Sequence, residues 1–562
     1  MKNLIFILFI PVVIFYGRLC FSQTENVSLD NSVYTFLKKM SVKGVIGSIN
    51  DDDPSMSRGD IEKHLKKIDS SMNELSKVDK ELLGKYKTEF IISEMTNENT
   101  SIILRGGESI GEKVSDFFSK KKKLLYFSDK SGSNLFADFT GNLYYGNENL
   151  PHGNTNSALF DMGFVLRGTF FEKLGYYLSV VKGGATGNGD NSLIMMPELK
   201  SEFKFNEQLE NIRNYNFTNG YLKFRTDIFD DANISIQLGR EKIKYGYGYS
   251  ESLTLSGMGP DMDFLKFNFN YGILKFSSIH ASTVGPFSQD REERYTKYFA
   301  ANKLKLSFEK LFDIGVGESI IYSGRGIELA YLTPLGFYKF LEMSLQDRDN
   351  GVFFIDFQSH FLKNIEFEFS VFLDENPLGI LADLNSYENK TAFQVGTFLY
   401  EPLGISNLSL KLEYTNIRPY VYSHTNPKNT YTGYGIILGN PIGPNSDRIF
   451  AHANYDLSQW AGLSLEFKFT RKGNNIYDEK GILIKNAGGN INEPFRTGID
   501  ADKIKFLDGN RENTITLKLT GTYEPVRDIL FELNFLYRIN DKIYISEKEF
   551  FSFSYLKMRI NI

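Results

Sequence analysis

The segment GLSLEFKFT, residues 462–470, sends Leu463, Leu465, Phe467 and Phe469 to one side of an extended chain and Ser464, Glu466, Lys468 and Thr470 to the other. A period of two is the signature of a β-strand with one apolar face. The same parity recurs in Ile365, Phe367, Phe369, Val371 and Leu373 against Glu366, Glu368 and Ser370, and in Leu408, Leu410, Leu412 and Tyr414 against Lys411 and Glu413. From about residue 135 onward the chain repeats it: roughly ten alternating residues, then a turn.

Alternation also suits a soluble sandwich, so the connections decide. Read backward from Ile562, short turns at 524–528, 457–460, 401–406, 361–364, 309–312, 271–272, 229–232 and 172–175 alternate with long polar segments such as 473–511 and 417–447, and with a loop at 540–549. Short turns on one side and long loops on the other predict an all-β transmembrane barrel of about eighteen antiparallel strands, with both ends of the chain on the periplasmic side. The composition agrees: aromatics are 15% of residues, 49 of them Phe and 32 Tyr against one Trp. Rings facing lipid need no soluble core, and Lys223, Arg225, Lys303, Lys305, Glu366, Lys411, Glu466 and Lys518 then face the lumen. Lumen charges of both signs favour pairing across the interior over an ion filter of one sign.

Residues 1–22 carry Lys2, an apolar run from Leu4 to Tyr16, and then Cys20, Phe21 and Ser22, which reads as a signal peptide cleaved after Ser22. Lipidation at Cys20 is the rival, but Arg18 and Leu19 stand where that signal requires small residues. Cleavage removes the only cysteine, which excludes thiol catalysis, cysteine-ligated zinc and iron–sulfur clusters. Losing Lys2 and Arg18 takes the formal charge from −5 to −7, and no dense basic stripe remains for nucleic acid.

Residues 23–125 differ from the rest. Val33, Phe36, Leu37 and Met40 fall at helical spacing, as do Ile61, His64, Leu65 and Ile68, and Leu82, Leu83, Tyr86, Phe90 and Ile91. Ser57, with Asp60 three residues on, predicts a helix cap. This small periplasmic helical region is expected to pack against the mouth of the barrel, which occupies residues 126–562. Asp51, Asp52 and Asp53 read as a solvated connector and residues 120–123, KKKK, as a surface charge patch.

No H-E-x-x-H, P-loop or G-x-G-x-x-G motif occurs, and the six histidines show no ligand spacing, so no catalytic residue, metal or cofactor is expected. Two segments carry the chemistry of a sugar site, in which aromatic faces stack on C–H surfaces and polar groups bond hydroxyls. The first holds Arg240, Lys242, Lys244, Tyr245, Tyr247 and Tyr249 with Glu241 and Glu251; Gly239, Gly246 and Gly248 let its backbone turn sharply. Its other reading is an inward-folded loop that plugs the lumen. The second holds Arg418, Tyr420, Tyr422, His424, Tyr431 and Tyr434 on an outer loop, where an interfacial aromatic girdle explains the tyrosines equally well. Asp347, Asp349 and Asn350 offer oxygens to calcium, yet a turn accounts for them with less.

In order along the chain, VYTFLKKMSVKGVIGS (33–48), SRGDIEKHL (57–65), TEFIISEM (88–95), LGREKIKYGYGYSESLTLSG (238–257), VGESIIYSGRGIELAYLTPLGFY (316–338), DRDNGVFFIDF (347–357) and LGNPIGPNSD (438–447) resemble the capsule assembly Wzi family of outer-membrane proteins, particularly its Bacteroidetes-type branch. The resemblance implies an eighteen-stranded barrel with a periplasmic helical bundle. It also implies a lectin of the bacterial cell outer membrane that anchors capsular or other surface polysaccharide, with outer-membrane lipid and the barrel-assembly machinery as its other partners. A diffusion channel for sugars or small solutes is the alternative that the barrel alone supports. The chain departs from many barrels in ending on Asn561 and Ile562 instead of a terminal Phe, although Met558 and Ile560 keep the alternation. VKGVIGS (42–48) with SRGDIEKHL also resembles half of an S-layer-homology repeat, which would bind a wall polymer.

Overall fold

The computed structural model describes residues 23–562 apart from 97–98, 105–119, 130, 151–152, 208–211, 230, 335 and 375–384, so the expected signal peptide lies outside the described residues. Among the described residues, eighteen long antiparallel strands close a barrel. They are β1 (Asn134–Leu150), β2 (Gly153–Phe170), β3 (Leu174–Gly187), β4 (Ile212–Phe229), β5 (Ala232–Glu241) and β6 (Met262–Tyr271). Then come β7 (Leu274–Val284), β8 (Thr296–Phe308), β9 (Phe312–Ser323), β10 (Asn350–Ser359), β11 (Ile365–Leu373) and β12 (Thr391–Tyr400). The last six are β13 (Leu408–Ile417), β14 (Ser446–Asp456), β15 (Ala461–Asn474), β16 (Asn510–Val526), β17 (Ile529–Lys542) and β18 (Glu547–Asn561). Closure runs from Asn561↔Thr140 to Ser552↔Asn149 between β18 and β1. A short strand, Leu125–Ser128, pairs with the start of β1 on the same edge. No helix among the described residues is long and apolar enough to cross a membrane; the chain crosses with strands.

The expected alternation of turns and loops is present, with one difference. β17 runs to Lys542 and β18 begins at Glu547, so the loop expected at 540–549 is a four-residue turn. Facing follows the period of two. Phe367, Phe369, Leu463 and Leu465 are each at least 40% exposed, an arrangement stable only against lipid, whereas Lys303, Lys305 and Glu366 are buried inside.

The helical region comprises α1 (Val33–Val42), α2 (Arg58–Asp69) and α3 (Lys77–Phe90). Ser57 caps α2 as its sequence predicts, accepting from the Asp60 N–H at 3.1 Å, and Ser76 with Asp79 forms a full capping box on α3. Phe36, Leu37, Met40, Ile61, Leu65, Leu83, Tyr86 and Phe90 share one core, which continues into Phe398 and Tyr400 of β12 and Phe450 of β14. The helices therefore enter the mouth instead of only resting on it. Ion pairs tie them to the ring of short turns: Lys39 to Asp456 at 2.5 Å, Lys43 to Glu401 at 3.2 Å, Asp60 to Arg225 at 2.5 Å, and Lys85 to Glu524.

Two expectations are corrected here. Lys121, Lys122 and Lys123 are buried, not a surface patch; Lys121 meets Asp528 at 2.5 Å and Lys123 meets Glu89 at 3.0 Å. The Asp51–Asp53 connector is likewise not solvated. Asp52 is 2% and Asp53 8% exposed, because the connector is threaded up into the lumen where lysines of the wall await it.

Candidate functional site

The barrel interior is filled from both ends. From the helical side, Asp52 lies between Lys303, at 2.6 Å, and Lys305, both on β8, while Asp53 pairs with Lys266 on β6. Burial opposes ionisation of Asp52, but the two ammoniums outweigh it and hold its carboxyl well below the usual carboxylate range. Lys38 of α1 sits among Asp51, Glu366 and Glu368. Those three carboxylates are close enough together to grip a cation, and the Lys38 ammonium already stands there.

From the other end, residues 242–261 leave β5 and fold inward. The Gly246 N–H donates to the Asp52 carbonyl at 2.7 Å, so the two insertions meet inside the barrel. Gly246 has φ +96° and Gly248 φ +154°, conformations that side chains disfavour, and this is the sharp turn expected of them. Gly239 has a different role: a Cβ there would stand 2.3 Å from the Gly220 carbonyl, so it serves close strand approach. Tyr245, Tyr247 and Tyr249 are buried. The rings of Tyr245 and Tyr247 lie 5.5 and 5.3 Å from the Lys303 ammonium, and the Tyr249 hydroxyl donates to Glu366 at 2.9 Å. Glu251 reaches Arg448 at 2.8 Å and Lys468 at 3.4 Å. Near the rim, Arg240 pairs with Asp263 at 2.9 Å and Lys242 with Glu198 at 3.0 Å; Lys244 is half-buried, its backbone paired with Ser256.

The second expected cluster lies on top of the first. In the segment 418–445, Tyr420, Tyr422 and Tyr431 are fully buried, with Tyr422 stacked on Tyr431 at 5.3 Å and its hydroxyl donating to the Leu253 carbonyl at 2.7 Å. Arg418 donates to the Asn389 carbonyl at 3.3 Å, and half-buried Tyr434 donates its N–H to the Val284 carbonyl at 2.7 Å. The two tyrosine clusters are thus brought together as packing, and of the eleven expected site residues Arg240, Lys242, Lys244, Arg418 and Tyr434 keep solvent contact. Asp349 is gripped by Arg325 at 2.9 and 2.5 Å and accepts from Tyr331 at 2.8 Å, while Gln346 and Asp347 adopt positive φ, as a turn requires.

This face holds an open cleft of 450 Å³ between the 418–445 and 475–509 segments and the ends of β15 and β16. Lys472, Asn474, Tyr477, Asn490, Glu512 and Tyr544 line it. Tyr477 and Tyr544 are 37% and 45% exposed, and the Asn490 amide donates to the Tyr477 hydroxyl at 2.9 Å. Free rings beside amides, an ammonium and a carboxylate can stack on sugar C–H faces and bond hydroxyls. These residues carry no motif; only the place of Tyr477 and Asn490 in a long outer loop could have drawn attention to them, since Lys472, Asn474 and Glu512 lie on strand ends and Tyr544 in the four-residue turn.

The structure is similar to that of Escherichia coli Wzi, an outer-membrane protein involved in group 1 capsule assembly and described as a carbohydrate-binding β-barrel. The two share 12% identity over 96% of this chain and 99% of the other, with a TM-score of 0.55. Fainter likenesses reach Pseudomonas aeruginosa OprD, at 10% identity over 76% of this chain and 95% of that one with a TM-score of 0.40, and Pseudomonas aeruginosa OccK2 in complex with glucuronate, at 8% over 76% and 98% with 0.39. No curated protein matches the chain. The family model for the capsule assembly protein Wzi, by contrast, matches residues 126–532, which is most of the closed wall. With the barrel, its lipid-facing rings and its inserted helices all agreeing, this outer-membrane chain belongs to the Wzi family of capsule assembly proteins.

Proposed function

We propose that the protein acts without catalysis, holding capsular or other surface polysaccharide at the loop end of the barrel and so supporting capsule assembly. The carrying observation is the cleft of Tyr477, Tyr544, Asn474, Asn490, Lys472 and Glu512, open on the face where the tyrosines of 245–249 and Tyr420, Tyr422 and Tyr431 are packed away. In this reading Arg240, Lys242, Lys244, Arg418 and Tyr434 extend the contact along the rim, while Tyr245, Tyr247, Tyr249, Tyr420, Tyr422 and Tyr431 hold the surface rigid from beneath. Rigid support lowers the ordering cost of gripping a flexible polymer. The helical end faces the periplasm, lipid surrounds the wall, and the barrel-assembly machinery inserts it.

A glycan array probed with the purified protein tests this. Binding to acidic or neutral capsule-type oligosaccharides, lost at least tenfold in Tyr477→Ala with Tyr544→Ala, is expected. Binding that the double variant leaves intact moves the site elsewhere, and large stable pores in planar bilayers would overturn the reading.

A further inference from the structure

The inserted segments do not fill the lumen evenly. On β8 to β13 the inward-facing side chains are sealed: Lys303, Asp356, Gln358, Glu366, Gln394 and Glu413 are all 5% exposed or less. On β15, β16 and β17 the outward positions are set by Leu465, Leu519 and Leu533, which are exposed to lipid, so the even-numbered residues point inward. Here Lys468, Thr470, Thr514, Thr516, Lys518 and Thr520 all keep solvent contact inside a closed barrel. A space therefore runs beside them.

Two clefts open onto these same strands. The outer cleft of 450 Å³ has Lys472 and Glu512 in its wall. A second, of 570 Å³, lies at the helical end between α3 and the barrel, with Trp460, Thr522 and Glu532 in its wall. Glu512 and Thr522 both lie on β16, ten residues apart, or about 33 Å along a strand. With the usual tilt of about 40° that is about 25 Å of depth, the height of the apolar band. Every inward residue between them on β16 is threonine or lysine. The β16 wall offers hydroxyls and ammoniums to a hydrated solute, and apolar side chains enter from β17, at Leu530 and Leu536. Its tightest level is marked by Asn534 and Leu536, the inward β17 residues that are buried; there Thr520 donates to Asn534 at 2.8 Å and the Lys518 ammonium lies 5.9 Å from the ring of Tyr555.

We propose that β15, β16 and β17 line a narrow off-centre passage joining the two clefts, of a bore that admits a small polyhydroxylated solute such as a monosaccharide. It runs while the connector stays locked on β6 and β8 through Asp53 and Asp52, and Lys38 on β11 through Glu366. The proposal does not depend on what the outer cleft binds.

Liposome swelling tests it. Vesicles holding the wild-type protein should swell in glucose faster than protein-free vesicles, with the rate falling at least fivefold for a trisaccharide. Filling the wall with Thr516→Trp and Thr520→Trp should return the glucose rate to that of protein-free vesicles. No swelling above protein-free vesicles, or full swelling in a folded double variant, overturns the proposal. Should that variant fail to fold, single cysteines placed in a Cys20-free chain decide. A small water-soluble methanethiosulfonate should label Thr470→Cys and Thr516→Cys and spare Gln358→Cys, whereas protection of both wall cysteines sinks the passage. Glycan retention by Thr516→Trp/Thr520→Trp should be unchanged, so failure of the passage and failure of polysaccharide binding are read separately.

Discussion

Asp52 of the N-terminal segment and Lys303 of strand β8 meet at 2.6 Å in the barrel interior, each only 2% exposed in its side chain, although 251 positions separate them in the chain. Lys303 also holds Asp356 at 2.5 Å, so one ammonium joins the insertion to two strands. Removing one member of such a group leaves its partners charged and without water.

Asp52→Asn should therefore loosen the helical region by about 3 to 5 kcal/mol while leaving the closed wall intact. Limited proteolysis reads this directly: cleavage within 23–125 should accelerate while the barrel keeps its heat-shifted gel mobility. Equal protection of variant and wild type would show the pair to be energetically idle.

Acid should release the same region. Burial resists charge on Asp52 and Asp60, yet Lys303 with Lys305 and Arg225 respectively drive both carboxyls below their ordinary range. A depressed folded-state value means that the stabilisation is complete above the unfolded carboxylate pKa of about 3.9 and is lost as pH falls below it. Protease resistance of 23–125 should be flat from about pH 5 to 8 and drop below about pH 4.

On the wall, Phe367→Arg puts a charge into lipid and should cost about 2 to 4 kcal/mol near the mid-membrane. Denaturant titration in lipid vesicles measures it. A silent Phe367→Arg beside a harmful Glu366→Phe would reverse the facing of β11.

Gly246→Ala forces a side chain onto a residue with φ +96°, at a cost of about 1 to 2 kcal/mol. Because Gly246 also bonds the Asp52 carbonyl, this change in the outer loop should raise proteolysis of the helical region at the far end of the barrel. No change there would mean that the two insertions are uncoupled.

Strands and facing were legible because lipid imposes a strict period of two, which residues 462–470 display without any tertiary knowledge. The Ser57 cap was legible for a similar reason, since its partners are three residues away. The connector Asp51–Asp53 and the lysines 121–123 were misread because their meaning depends on distant residues: an acidic triplet is solvated unless a lumen presents Lys266, Lys303 and Lys305 to it. The tyrosine segments stand out in the sequence, one as a sugar site or a plug and the other as a sugar site or an aromatic girdle, but composition does not say whether a ring faces sugar or stacks on its neighbour. Gly239 shows the same limit, as its crowding against Gly220 follows from strand register alone.

The ties between the helices and the ring of short turns also order events in time. Lys39 must wait for Asp456, Lys85 for Glu524 and Lys121 for Asp528, each more than 400 positions downstream. A chain stalled or clipped before residue 456 lacks all three carboxylates, which leaves Lys39 and Lys85 without these counterions and Lys121 with Glu89 alone, and its helical region stays poorly docked. The molecule thereby inspects its own length: the oldest part of the chain settles only when the youngest has arrived, and an incomplete copy is marked by a loose head that proteases can find.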